Sequence, residues 1–220
     1  MQASTTWIPP VGALGDIVAE ARDRAAALRS REGELAARAA ESPERRSLLG
    51  ALLGPRVGVI AEIKRRSPSK GWINPAISAA DQALSYESGG AAAISVLTEP
   101  AHFSGSVSDL TSVLGAVRVP VLKKDFHVEP IQLLEAKAVG ASAALLIVRA
   151  LSPLVLPRMI DAARELELEV LVEVRDAPEL ERALDAGATM VGVNNRDLET
   201  LVIDYRTCER MLSAVPASIV

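Results

Sequence analysis

The sequence predicts an α/β fold in which a parallel sheet curls into a barrel. Three observations carry this. From Val57 onward, short apolar runs alternate with helical stretches, the pattern of strands joined by crossover helices. Three runs follow a helix through a glycine joint: Ser88-Gly89-Gly90-Ala91, Val139-Gly140-Ala141 and Ala186-Gly187-Ala188. Glycine just past a helix takes up the left-handed conformation that other residues adopt only at a cost. Several runs also end on polar residues, namely Glu62 and Lys64, Lys124, Glu173 and Asn194. Polar groups from the ends of several strands meet at one point when the strands form a ring, which favours a barrel over an open doubly wound sheet. No G-x-G-x-x-G follows the first run, which weighs against the dinucleotide-binding form of that open sheet.

Taken in order, residues 14 to about 50 read as helix. Leu14, Ile17, Val18, Ala21, Ala25 and Leu28 share one face, and Gly33 and Ser42-Pro43 are the expected breaks. This predicts an N-terminal helical extension over residues 1–56, packed on a barrel domain over residues 57–220. The apolar runs are 57–63, 91–97, 119–122, 141–148, 170–174, 190–193 and 217–220. Their centres lie about 20–34 residues apart, room for a strand, a helix and two loops. The span holds about six βα units plus a seventh strand, so a (β/α)8 barrel is expected to be incomplete here. The last four residues, Ala217-Ser218-Ile219-Val220, read as a strand cut short. An open barrel leaves an unpaired strand edge, and self-association through it is the expected consequence.

Composition narrows the function classes. A chain of 220 residues that is 49% hydrophobic has the makings of a globular core, which excludes wholesale disorder. A net charge of −4 argues against a nucleic-acid partner. The single cysteine, Cys208, excludes a disulfide framework and a cysteine-rich zinc site. Two histidines, His102 and His127, leave little for a metal cluster, and they and Cys208 show no partner spacing. Aromatics at 3% require a core of Ala, Val, Leu and Ile. The first fifteen residues carry no basic residue, and the run 139–148 is far short of the roughly 20 residues a membrane helix needs. A soluble, cytoplasmic protein without a membrane partner is therefore expected.

The strand tips supply the candidate chemistry. Strand alternation sets Glu62 and Lys64 on one face, as a reactive acid–ammonium pair at the barrel mouth or as a surface ion pair. The loop Arg65-Arg66-Ser67-Pro68-Ser69-Lys70-Gly71 suits a phosphate, or is simply a solvated connection. Lys124 faces inward if Leu122 does, while Lys123 and Asp125 face the helices or the rim. A mouth lysine serves as general acid, Schiff-base nucleophile or anion clamp. Desolvation is expected to lower such a lysine's pKa towards neutrality. Glu173 shares a face with Leu171, and a salt bridge to Lys64 or Lys124 is its structural alternative. Asn194 either binds a ligand or caps the next turn, and Arg196 offers a forked donor suited to a carboxylate. Phe103 and Phe126 sit just past two tips, as walls of an aromatic slot or as packing under loops.

Together these tips resemble the indole-3-glycerol phosphate synthase family. The matching segments are Ile60-Ala61-Glu62-Ile63-Lys64-Arg65-Arg66-Ser67-Pro68-Ser69; Ser95-Val96-Leu97-Thr98-Glu99 with Phe103-Ser104-Gly105-Ser106; Leu122-Lys123-Lys124-Asp125-Phe126; Leu171-Val172-Glu173-Val174; and Gly192-Val193-Asn194-Asn195-Arg196-Asp197-Leu198. The resemblance implies a (β/α)8 TIM barrel. It also implies a carboxy-lyase of tryptophan biosynthesis that acts on 1-(2-carboxyphenylamino)-1-deoxyribulose 5-phosphate without metal or organic cofactor. By resemblance, Lys124 is the general acid of ring closure and Lys64 binds the substrate carboxylate and delivers a proton. Glu173 is the base of dehydration, and Glu62 positions the lysines and the developing iminium. Asn194, Arg196 and Ser67 hold polar groups, and Phe103 and Phe126 wall the aromatic ring. The family continues past strand seven with further phosphate-gripping loops, so a non-catalytic fragment or paralogue stands as the alternative.

Overall fold

The computed structural model describes residues 7–220. Three helices come first: α1 (Gly12–Leu28), α2 (Glu32–Ala40) and α3 (Leu48–Leu52). The alternating part follows as β1 (Ile60–Ile63), a hairpin of β2 (Arg66–Ser67) and β3 (Gly71–Trp72), α4 (Ala79–Ser88), β4 (Ala93–Leu97), α5 (Val107–Ala116), β5 (Val121–Lys124) and α6 (Pro130–Val139). It continues with β6 (Ala143–Ile147), α7 (Val155–Glu165), β7 (Glu169–Val174), α8 (Ala177–Asp185), β8 (Val191–Val193) and α9 (Thr207–Leu212).

The main sheet has six strands in the order β1-β4-β5-β6-β7-β8, each pair parallel. The order follows the chain without a reversal. A doubly wound sheet reverses at a switch point and covers both faces with helices. Crossovers of one hand in one direction keep the helices on one side, and the twisted sheet curls as an incomplete (β/α)8 barrel.

Local chemistry explains the elements. Gly140 and Gly187 follow α6 and α8 with φ of 87° and 85°, the predicted left-handed joints. Helix starts are fixed by side chains: Ser106 accepts from the Asp109 N–H at α5, and Asp176 accepts from the Glu179 N–H at α8. At α6, Glu129 and Gln132 form a capping box on either side of Pro130. Leu14, Ile17, Val18 and Ala21 of α1 share one buried core with Leu145, Ile147 and Val172 of the sheet. Leu35 and Ala39 of α2 pack on Ala138 of α6.

Two expectations are corrected. Gly33 breaks nothing; it lies inside α2 with open space where a Cβ would be. The α-helix is interrupted instead by the 3-10 turn Arg29–Arg31, where the Ser30 hydroxyl donates back to the Ala27 carbonyl at 3.1 Å. Residues 217–220 do not form a strand. The Ile219 N–H bonds to the Pro216 carbonyl, so a turn holds this segment off the sheet. Only Val220 pairs with it, donating to the Thr189 carbonyl at 3.2 Å and accepting from the Val191 N–H at 2.8 Å.

Candidate active site

The C-terminal ends of the strands open on a cavity of about 460 Å³. Sheet register explains the convergence: Lys124 lies beside Leu97, Glu173 beside Ile147 and Gly192, and Glu62 beside Ser95. Glu62, Lys64, Ser67, Phe103, Phe126, Lys124, Glu173, Asn194 and Arg196 all line this cavity.

Glu62 is the electrostatic centre. One carboxylate oxygen accepts from Lys64 Nζ and the other lies 3.3 Å from Lys124 Nζ. Burial pushes the Glu62 carboxyl up, but the Lys124 and Lys64 ammoniums beside it outweigh this and hold it below the usual carboxylate range. Lys124 departs from expectation. Burial disfavours its ammonium, but the Glu62 and Glu173 carboxylates together raise its pKa above the ordinary lysine value. Desolvation argued from an apolar mouth missed the two carboxylates that face this lysine.

A second pair lines the same cavity. Asn194 Nδ2 donates to Glu173 Oε1 at 2.8 Å, and Asn194 Oδ1 accepts from the Arg196 N–H at 2.9 Å. Asn194 thus fixes a carboxylate and its own loop at once. Arg196 donates to the Leu201 carbonyl at 3.0 Å, which leaves its remaining donors for a ligand. The Phe103 and Phe126 rings lie 6.0 Å apart, tilted by 36°. Leu14 and Ile17 of α1 complete this apolar side. The sequence marked them as the buried stripe of a helix; their place beside the cavity depends on how α1 lies across the barrel.

The basic loop is more committed than its composition suggests. Arg65 forks onto Asp109 at 2.5 and 2.8 Å, and Arg66 stacks over Trp72 at 5.8 Å. Within the hairpin, Ser67 and Lys70 remain at the cavity. Lys123 points away from the mouth, as alternation requires, into a buried network. Its Nζ lies 3.0 Å from Glu135, 3.7 Å from Asp125 and 3.4 Å from His127 Nε2. Asp125 also accepts from Arg24 at 2.6 Å and Thr98 at 2.6 Å. His127, which showed no partner in the sequence, also binds the Leu145 carbonyl through Nδ1 at 2.8 Å. Burial and the Lys123 cation push its pKa down to about 3.

Among the described residues, Glu20, Glu99 and His102 form a group that could converge on a metal ion. The Glu99 carboxylate already accepts from Arg24 and from the backbone N–H groups of Ala101, His102 and Phe103, so its oxygens are taken. Cys208 donates to the Val193 carbonyl away from the cavity.

Comparison with known proteins places the chain in a family. The family model of indole-3-glycerol phosphate synthase matches residues 14–220. The chain belongs to the indole-3-glycerol phosphate synthase family. An indole-3-glycerol phosphate synthase from Parafrankia is 49% identical over 88% of this chain and 73% of its own length. That from Syntrophobacter fumaroxidans is 50% identical over 77% of this chain and 65% of its own. Indole-3-glycerol phosphate synthase 1 of Streptomyces coelicolor is 50% identical over 85% and 70%. A solved structure, 3-keto-L-gulonate-6-phosphate decarboxylase from Vibrio cholerae, aligns with a TM-score of 0.54 at 15% identity, over 74% of this chain and 75% of that one. That likeness bears on the fold alone. Membership in the indole-3-glycerol phosphate synthase family makes the chain a carboxy-lyase of tryptophan biosynthesis.

Proposed function

We propose that this cavity closes the indole ring of 1-(2-carboxyphenylamino)-1-deoxyribulose 5-phosphate, with the residues in the following roles. The substrate's aromatic ring lies against Phe103 and Phe126. Arg196, Ser67 and Lys70 take its polar and phosphate groups. The ring carbon bearing the carboxylate bonds to the ketone carbon, and the Lys124 ammonium gives its proton to the ketone oxygen. The bond to the carboxylate then breaks, carbon dioxide leaves and the electron pair returns to the ring. Lys64, which held that carboxylate, protonates the new hydroxyl, and water departs. Glu173 removes the proton from the carbon between the nitrogen and the new ring carbon. Glu62 stays ionised between both lysines and stabilises the positive charge that develops on the nitrogen.

The observation that carries this reading is the convergence of two sets on one cavity: the lysines bridged by Glu62, and Glu173 held by Asn194. A raised lysine pKa suits the first step. The nascent alkoxide is far more basic than an amine, so proton transfer runs downhill even from a stabilised ammonium. Indole-3-glycerol phosphate formation, followed by fluorescence, tests the reading. Lys124→Met is expected to lower kcat by about 10²–10⁴-fold with a smaller change in KM. Equal turnover by the variant removes Lys124 from the role. No turnover by the parent chain removes catalysis and leaves the non-catalytic alternative. We further propose that the protein works in the cytoplasm; among the described residues no helix is long and apolar enough to cross a membrane.

A further inference from the structure

The segment before α1 is fastened to the loop after β8 by one ion pair. Arg149, just beyond β6, forks onto Glu199 through Nε at 3.0 Å and through its second terminal nitrogen at 2.8 Å. Its remaining nitrogen donates to the Ile8 carbonyl at 2.8 Å. Glu199 Oε1 also accepts from the Val11 N–H at 2.8 Å. Gly12 then passes over the Glu199 carbonyl with φ of 59°, so close that a Cβ would lie 2.7 Å from that oxygen. Within the first two turns of α1 come Leu14 and Ile17, in the apolar wall of the cavity. The clamped loop itself carries Asn194 and Arg196, and Asp197 braces it by accepting from the Glu199 and Thr200 N–H groups and pairing with Arg175.

We propose that Arg149 and Glu199 are positioning residues that set two walls of the cavity together: the α1 wall and the loop that carries Asn194 and Arg196. Neither lines the main cavity; both line a smaller one of about 230 Å³ behind Glu173 and Asn194. The fork, the Ile8 carbonyl and the Val11 N–H engage all three Arg149 nitrogens and both Glu199 oxygens within the protein itself. The consequence for ligand binding rests on the function proposed above; the clamp does not.

Trp7, immediately before the strap and half-buried, is the reporter. In a Trp72→Phe background it is the remaining tryptophan, since the chain has two. Arg149→Gln and Glu199→Gln are each expected to raise acrylamide quenching of Trp7 roughly twofold, as a locally opened segment does. Arg149→Lys, which keeps the charge and loses the fork, is expected to fall between. Arg31→Gln, which breaks the exposed pair with Glu34, is expected to leave quenching unchanged. The second measurement is binding of indole-3-glycerol phosphate by calorimetry, with affinity falling about tenfold in both glutamine variants and not in Arg31→Gln. Unchanged Trp7 quenching in Arg149→Gln, with the far-ultraviolet dichroism of the parent, overturns the clamp. Increased quenching with unchanged affinity overturns the positioning role. If the parent binds no indole-3-glycerol phosphate, the proposed function fails, and the quenching series still decides the clamp.

Discussion

Single residues in the mouth are set by their neighbours more than by their burial. Lys124 shows it: the strand tip was legible from alternation, but its protonation was not, because that depends on Glu62 and Glu173 arriving from β1 and β7. The activity of the parent is therefore expected to hold its alkaline limb above the ordinary lysine value of 10.5, measured as kcat against pH. A limb near neutrality would mean an acid of lowered pKa, and another group in the role. His127 makes the reverse point. Its spacing says nothing, since its partners Lys123 and Leu145 are fixed by the sheet. Its folded pKa lies near 3 against 6.5 ordinarily, so between those values the unfolded chain binds a proton that the folded chain refuses. This single group makes stability fall by up to about 1.4 kcal/mol for each pH unit of acidification from roughly 6.5 towards 3. Asp125, which burial pushes up but Lys123, His127 and Arg24 hold down to about 2, adds the same sign lower on the scale, as pH falls from 3.8 towards about 2. His127→Gln is expected to flatten the upper part of that slope in urea unfolding at a series of pH values. An unchanged slope would mean that His127 titrates alike in both states.

At the scale of elements, the six strands and their crossover helices were legible because each unit repeats one pattern and three of the helices end in a glycine joint. The boundary signals that misled were glycines and apolar residues read without their surroundings. Gly33 tolerates a helix because it sits in the first turn with nothing near it, whereas Gly187 must be left-handed. The two therefore respond oppositely to the same change. Gly187→Ala is expected to destabilise by about 1–2 kcal/mol. Gly33→Ala is expected to be neutral or to stabilise by up to about 1 kcal/mol. Chemical denaturation of the pair checks both; a loss at Gly33 as large as that at Gly187 would show that α2 needs the glycine. The β2–β3 hairpin was not foreseen at all. Its two strands are two residues each, and what pins them is Arg66 over Trp72 across the hairpin and, from outside the segment, the Arg65 fork onto Asp109 of α5.

For the molecule as a whole, the curled sheet exposes its first strand. Val57 and Val59 lead into β1 with 95% and 58% of their surface exposed, Leu53 adds 61%, and among the described residues β1 pairs on one side only, with β4. Apolar side chains beside unpaired backbone groups favour strand pairing between copies. A protein of these 220 residues is expected to sediment as concentration-dependent oligomers, and a Val57→Lys, Val59→Lys variant to shift towards monomer. A single monomeric species at every concentration would refute the expectation. The sequential strand order bears on assembly as well. Every strand of the main sheet pairs with the strand one unit back along the chain, so the sheet can grow from its beginning as the polypeptide is synthesised, each crossover adding contacts of modest sequence separation. The strap is the exception. Its bonds to Arg149 and Glu199 span 141 and 188 residues. The residues just before α1 must wait for the loop near Glu199, so the cavity takes its shape only after the six strands between them are in place.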